Sequence, residues 1–262
     1  MGRGAVALRR AEEAWLEEAV ARRAAASGSS AAVLRRRMLA RLSRGEPLQY
    51  VLGSWSFRGH ELRVDRRALI PRFETEQLVE LVLEVVRPGM RVVDVGTGSG
   101  AIAISLALEA PGVSVIATDL DPRALALARE NVRALGAAVE LRRGSWLAPL
   151  GAERVDVVVS NPPYVSRAEW ERLASTVRDW EPFMALVAGP SGVEGPLSVL
   201  EEAPAYLSSS GWVLLEIGED QVPEVREAAR RRGYARVTVC RDLAGRERFV
   251  MANWEGGGGA TP

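Results

Sequence analysis

With 262 residues, 47% of them hydrophobic, the chain can bury one full core and still carry a small appended unit. A single cysteine, Cys240, and a single histidine, His60, exclude an intrachain disulfide and the usual Cys/His zinc ligand set, and with no lysine in the sequence Schiff-base chemistry and a Walker-type phosphate loop are excluded too. Net charge is zero, yet residues 1–44 hold ten arginines against four glutamates, which makes that piece a candidate contact surface for something acidic.

Across residues 4–42 apolar side chains recur at helical spacing, at Leu8, Ala11, Trp15, Leu16 and Ala19 and again at Val33, Leu34, Met38 and Leu42. The cluster Ser27-Gly28-Ser29-Ser30 interrupts them, so two or three short helices forming a small bundle are expected over residues 1–44. Residues 45–73 read as a connector, because Trp55, Phe57, Leu62 and Val64 alternate around Gly53 and Gly59 as in a β-hairpin. From Glu74 strands and helices alternate: a helix over 74–86, a strand over 91–95, a helix over 99–109, a strand over 113–118 and a helix over 122–135. The last of these is punctuated at both ends, with Asp121 to cap it, Pro122 at its first position and Gly136 just past its end. Further strands are expected over 139–142, 154–160, 211–217, 235–241 and 248–254. The fold class that follows is α/β, a doubly wound and mostly parallel seven-stranded sheet over 74–255, with residues 256–262 as a flexible tail. The longest uncharged apolar stretch, residues 101–108, is far short of the roughly 20 residues of a membrane helix, and the amino end lacks a signal-peptide core. A soluble, cytoplasmic protein is expected.

Three places carry chemistry. The strand ending in Asp94 and Val95 runs straight into Gly96-Thr97-Gly98-Ser99-Gly100 and a helix, a turn where glycines let a ligand approach the main chain. The spacing is not the Gly-x-Gly-x-x-Gly of a dinucleotide site, and a buried Asp94 would repel a pyrophosphate but suit the ammonium of S-adenosylmethionine. Asp119 follows the next strand by one residue, about 20 positions after the glycine turn, where a carboxylate can accept from both ribose hydroxyls. Trp146 is either ordinary core or a wall of the adenine pocket. The sharpest feature is Ser160-Asn161-Pro162-Pro163-Tyr164, at the carboxyl end of the fourth strand. Two prolines carry no N–H, so the segment presents carbonyl acceptors beside the Asn161 side-chain oxygen, which suits the NH2 of an amide or aromatic amine. Asn161, Pro162 and Tyr164 are the candidate catalytic residues, with Asn161 to Tyr164 as the substrate-binding segment and Tyr164 packing its ring on the substrate plane. The reaction expected is methyl transfer to that nitrogen, with S-adenosylmethionine as cofactor and no metal.

The chain resembles the release factor glutamine methyltransferase family, class I S-adenosylmethionine-dependent enzymes, through Gly45 to Tyr50, Leu69 to Arg72 with Glu74-Thr75-Glu76, the glycine turn, Asn161 to Tyr164, Glu181-Pro182, Leu215 to Gly218 and Asp242 to Gly245. The resemblance implies a methyltransferase sheet and a cofactor site at Asp94, Gly96 to Gly100, Asp119, Trp146 and Asn161. It also implies a protein substrate, the glutamine of the Gly-Gly-Gln tip of class I peptide chain release factors, engaged in part by the amino-terminal helices. A monomer with no nucleic-acid requirement is expected. The alternative is methylation of an exocyclic amine of adenine or guanine, since Asn-Pro-Pro-Tyr is shared with such enzymes. Phe73 stands where the family usually has proline, and residues 187–195 lack its aspartate-glycine pattern.

Overall fold

The computed structural model describes residues 8–256; the expectations for residues 4–7 and for the tail beyond Gly256 lie outside them. Helices α1 (Arg10–Ser27) and α2 (Ala31–Leu42) form the amino-terminal bundle, separated at Gly28, whose left-handed φ of 66° ends α1. Their shared core of Leu16, Ala19, Val20, Met38 and Leu42 also takes in Val51 and Leu52. Those two belong to a short helix, α3 (Leu48–Leu52), inside the stretch expected to be hairpin. Tyr50, Val51 and Leu52 are all buried, so burial on both sides replaces the alternation that a half-exposed strand would show. The hairpin itself is shorter, β1 (Ser54–Phe57) paired with β2 (His60–Arg63). Its two turn residues, Arg58 and Gly59, both have positive φ, 49° and 77°, as a tight two-residue hairpin requires.

The remainder is a doubly wound domain. In chain order it runs α4 (Phe73–Val85), β3 (Arg91–Val95), α5 (Ala101–Glu109), β4 (Ser114–Asp119), α6 (Pro122–Leu135), β5 (Val139–Arg143) and β6 (Val155–Ser160). There follow β7 (Val165–Ser166), α7 (Arg167–Arg172), α8 (Ser175–Arg178), α9 (Phe183–Leu186), β8 (Val187–Gly189), α10 (Glu194–Glu202), β9 (Leu207–Glu216), α11 (Val222–Arg232), β10 (Arg236–Arg241) and β11 (Glu247–Trp254). Seven strands form one sheet in the order β10-β11-β9-β6-β3-β4-β5, parallel except that β11 runs antiparallel to both its neighbours. As expected, Asp121 caps α6 by accepting from the Arg123 N–H, and Gly136 closes it at a φ of 65°. No helix among the described residues is long and apolar enough to cross a membrane.

Period-two alternation splits the sheet's side chains between two cores. Val92, Val115, Ala117, Val157, Val159 and Leu214 pack under α4 and α5, whereas Val93, Val95, Ile116, Val158, Val213 and Leu215 pack under α10 and α11. Because β3 is central, with β4 on one side and β6 on the other, the chain diverges there, and the carboxyl ends of β3, β4, β6 and β9 meet along one edge. A ligand cleft belongs at that divergence.

Candidate active site

A cavity of about 490 Å³ opens at this edge, within the size range of small-molecule sites. Gly96, Thr97, Gly98 and Ser99 form one wall, Asp119, Leu120 and Trp146 another, and Thr75, Asn161 and Pro163 a third. Arg72, Pro182, Phe183 and Met184 also border the cavity, the last two exposed at 39% and 57%.

The glycine turn is shaped by the carboxylates beside it. Gly96 and Gly98 adopt left-handed φ of 72° and 56°, and their N–H groups are directed by neighbouring strands: Gly96 donates to the Thr118 carbonyl at 2.9 Å and Gly98 to Asp119 Oδ2 at 2.9 Å. Asp94 is fully buried behind the turn and does not reach the cavity wall. Its Oδ2 accepts from the Thr97 hydroxyl at 2.5 Å and the Ala103 N–H at 3.2 Å, while Oδ1 has no partner. Burial drives the Asp94 carboxyl up to about 7, against the two donors. This orphaned, reluctantly ionised oxygen fits a nearby cation, so the donor set is compatible with the ammonium end of S-adenosylmethionine. Asp119 does line the cavity, with Oδ1 held by the Asp121 N–H at 2.9 Å and burial raising its pKa. Each of its oxygens retains lone-pair capacity for a hydroxyl.

Trp146 combines both expectations, packing against the core under α10 and α11 while bordering the cavity. It lines the cavity in a left-handed conformation, φ 44°, that only a restrained non-glycine residue adopts, and the Thr118 hydroxyl holds its carbonyl at 2.8 Å. The sequence missed Leu120, 52% exposed on the same wall, because a leucine after Asp119 carries no signal of its own. Gly100, expected among the cofactor residues, does not line the cavity; it is the residue before α5, and a Cβ there would meet Ile104 Cδ1 at 3.0 Å and Ala128 at 3.4 Å. It is glycine so that α5 can pack on α6.

Of the Asn-Pro-Pro-Tyr segment, Asn161 and Pro163 border the cavity; Pro162 is buried and Tyr164 stands behind. Tyr164 therefore does not present its ring to the cavity. Its hydroxyl donates to Glu216 Oε1 at 3.2 Å, and the Arg248 guanidinium lies 5.9 Å from its ring centroid. Glu216, only 1% exposed at the end of β9, also accepts from the Thr75 hydroxyl at 2.8 Å, and burial pushes its pKa up against these donors and Arg248. Thr75 in turn accepts from Asn161 Nδ2 at 3.0 Å. No hydrogen bond among the described residues reaches Asn161 Oδ1 or the Pro162 carbonyl. The segment is buttressed by the stretch whose pattern departs from the family. Glu194 folds back onto the Ser191 and Gly192 N–H groups at 2.9 and 2.8 Å, and Gly195 lies against the Pro163 carbonyl with no space for a side chain. The other departure, Phe73, opens α4 at 67% exposure and meets Trp55 edge-on at 6.5 Å.

Residues 74–177 match the methyltransferase small domain family. Over 217 residues the chain is 45% identical to the release factor glutamine methyltransferase of Cereibacter sphaeroides, covering 82% of this chain and 77% of that one. The enzyme of that name from Enterococcus faecalis is 41% identical over 218 residues, 82% of this chain and 78% of its own. The chain belongs to the release factor glutamine methyltransferase family. Its fold is also similar to a crystal structure of a methyltransferase from Pyrococcus furiosus, with a TM-score of 0.58 at 21% identity, covering 83% of this chain and 97% of that one. In this family's fold the seven-stranded sheet brings the glycine turn, Asp119, Trp146 and Asn161 to one cavity from positions up to 65 residues apart in sequence.

Proposed function

We propose that the enzyme methylates the side-chain amide nitrogen of the glutamine in the Gly-Gly-Gln motif of class I peptide chain release factors. The observation that carries the reading is the orientation of Asn161: its Nδ2 is committed to Thr75, so its Oδ1 is left as an acceptor at the cavity wall beside the glycine turn. When bound, S-adenosylmethionine supplies an electrophilic methyl group on a sulfonium. Asp119 would hold its ribose, Leu120 and Trp146 its adenine, and the Gly96–Ser99 turn, backed by Asp94, its methionine portion. Asn161 Oδ1 accepts one hydrogen of the substrate NH2, and a carbonyl of the adjoining Pro162-Pro163 backbone, of which Pro163 borders the cavity, accepts the other. That grip fixes the nitrogen in position, draws it toward a pyramidal geometry and leaves its lone pair free to face the methyl group. A carboxylate in place of the amide offers no hydrogens to these acceptors, so the site selects glutamine over glutamate. The enzyme would work as a monomer in the cytoplasm, without nucleic acid.

Purified enzyme, tritiated cofactor and a release factor with Gly-Gly-Gln intact or changed to Gly-Gly-Ala test this directly. Label is expected on the intact factor alone. Equal label on both, or label on nucleic acid and none on the factor, would replace the reading.

A further inference from the structure

We propose that Glu216 and Thr75 are positioning residues that dictate which end of the Asn161 amide faces the substrate, an inference that rests on the function proposed above. Proton direction is fixed along a chain of three side chains, Glu216, Thr75 and Asn161. Glu216 accepts at both oxygens, from the Tyr164 hydroxyl at 3.2 Å and the Thr75 hydroxyl at 2.8 Å, and these two donors together with Arg248 favour its ionised form against the burial that raises its pKa. Thr75 has one proton, and that proton is spent on Glu216. Its oxygen can then only accept from Asn161, 3.0 Å away, and the group able to donate there is Nδ2. The amide is thereby locked with Oδ1 toward the cavity. Rotated by half a turn, Asn161 would present N–H groups to the N–H groups of the substrate amide, and the grip would become a repulsion.

The three side chains fix one wall of the cavity, Glu216 from behind it. Glu216 ends β9 and is 1% exposed, Thr75 sits in the first turn of α4 and is 4% exposed, and Asn161 follows β6. Three elements are thus pinned to one another where the substrate nitrogen would sit. Tyr164 ties the far end of the Asn-Pro-Pro-Tyr segment to the same carboxylate, so Glu216 fixes both ends of it. Glu216 itself does not line the cavity, which separates its role from binding.

Thr75→Val keeps the shape and removes the hydroxyl, while Thr75→Ser returns it. Loss of one hydrogen bond that acts on the transition state predicts a kcat on the release factor lower by about tenfold or more for Thr75→Val. Thr75→Ser is expected to recover most of that rate. Cofactor affinity by calorimetry should stay within about twofold in both, reporting an intact fold. Glu216→Gln can donate as well as accept, so it no longer imposes a direction, and its kcat should fall in the same way. The deciding measurement is the pair Thr75→Val and Asn161→Ala: if Thr75 acts through Asn161, adding Thr75→Val to Asn161→Ala costs nothing further in kcat. Additive losses, wild-type kcat in Thr75→Val or Glu216→Gln, or no recovery by serine would overturn the positioning role alone. A wild-type enzyme that leaves the factor unlabelled in the same assay would overturn the proposed function and this inference with it.

Discussion

Asp94 is a carboxylate in a place where a charge is expensive: no part of it meets solvent, one oxygen has no partner, and burial drives its pKa up to about 7. The folded protein therefore favours the protonated form relative to the unfolded chain. That contribution to stability is full below the ordinary carboxylate range and is lost as pH rises through about 7. A cationic ligand has the opposite preference, because it binds the ionised form better. Cofactor affinity should accordingly increase as pH is raised from about 6 to 7.5, by up to about tenfold per unit on the acid side, and thermal stability of the free protein should decrease over the same window. Asp94→Asn should flatten both profiles. Calorimetric titration at several pH values checks this, and a wild-type affinity that is flat across the window would remove Asp94 from any electrostatic part in cofactor binding.

At the scale of elements, the segment from β8 to α10 acts as a buttress for the end of β6. A Cβ on Gly195 would fall 2.2 Å from the Pro163 carbonyl oxygen and 3.3 Å from its carbon, and backbone cannot yield as a flexible side chain does. Gly195→Ala must therefore move the Asn-Pro-Pro-Tyr segment or α10. Overpacking of this kind costs about 1–3 kcal/mol, which for a chain of this size lowers Tm by several degrees. Because a displacement of even 1 Å at Asn161 spoils the grip on the substrate, kcat should fall by about a hundredfold. Cofactor affinity should change far less, since the glycine turn and Asp119 lie on other strands. Unchanged kcat would mean that α10 shifts instead and that the buttress is not needed.

The same elements mark what could be read from the chain alone. The strands of the seven-stranded sheet and α6 were legible because they carry their own periodicity and caps, and the glycine turn, Asp119 and Asn161 because each sits at or beside a strand end, whereas the short β7 and β8 carry no period. The helix α3 was not, since three consecutive buried residues carry no period. Nor was the union of Thr75, Asn161 and Glu216, which come from α4 and the ends of β6 and β9 and meet only when the sheet forms. Glu216 did carry the signal that singled out Asp94, a carboxylate at the end of an apolar strand. Tyr164 was placed in the site by its motif, but its ring direction depends on Glu216 and Arg248, which no local pattern announces.

Across the whole molecule, the question is where the amino-terminal unit ends and what it does. Composition suggested a boundary at residue 44, but Val51 and Leu52 of α3 are buried against α1 and α2, so the packing unit runs through Leu52. It is held to the hairpin by Arg22, which donates to Glu61 at 2.7 Å and to the Ser54 hydroxyl at 3.2 Å, and by Trp55, which packs against its core. The catalytic domain has its own two cores on either face of the sheet. We propose that the helical unit docks the body of the release factor while the cavity takes only the glutamine tip. Deletion through residue 44 should then give a poorly soluble protein, because it uncovers Val51 and Leu52. Deletion through Leu52 removes the whole packing unit but also Tyr50, which packs on Val64 and Ile70 and donates to the Ala68 carbonyl at 2.7 Å, so cofactor affinity should fall, by no more than about tenfold. On a short peptide carrying Gly-Gly-Gln its kcat/KM should fall no further than that. On the whole factor it should drop by roughly a hundredfold, the scale of about 3 kcal/mol of docking energy. Equal losses on peptide and factor would make the helices a structural support for the hairpin, and the docking role would have to be assigned elsewhere on the rim.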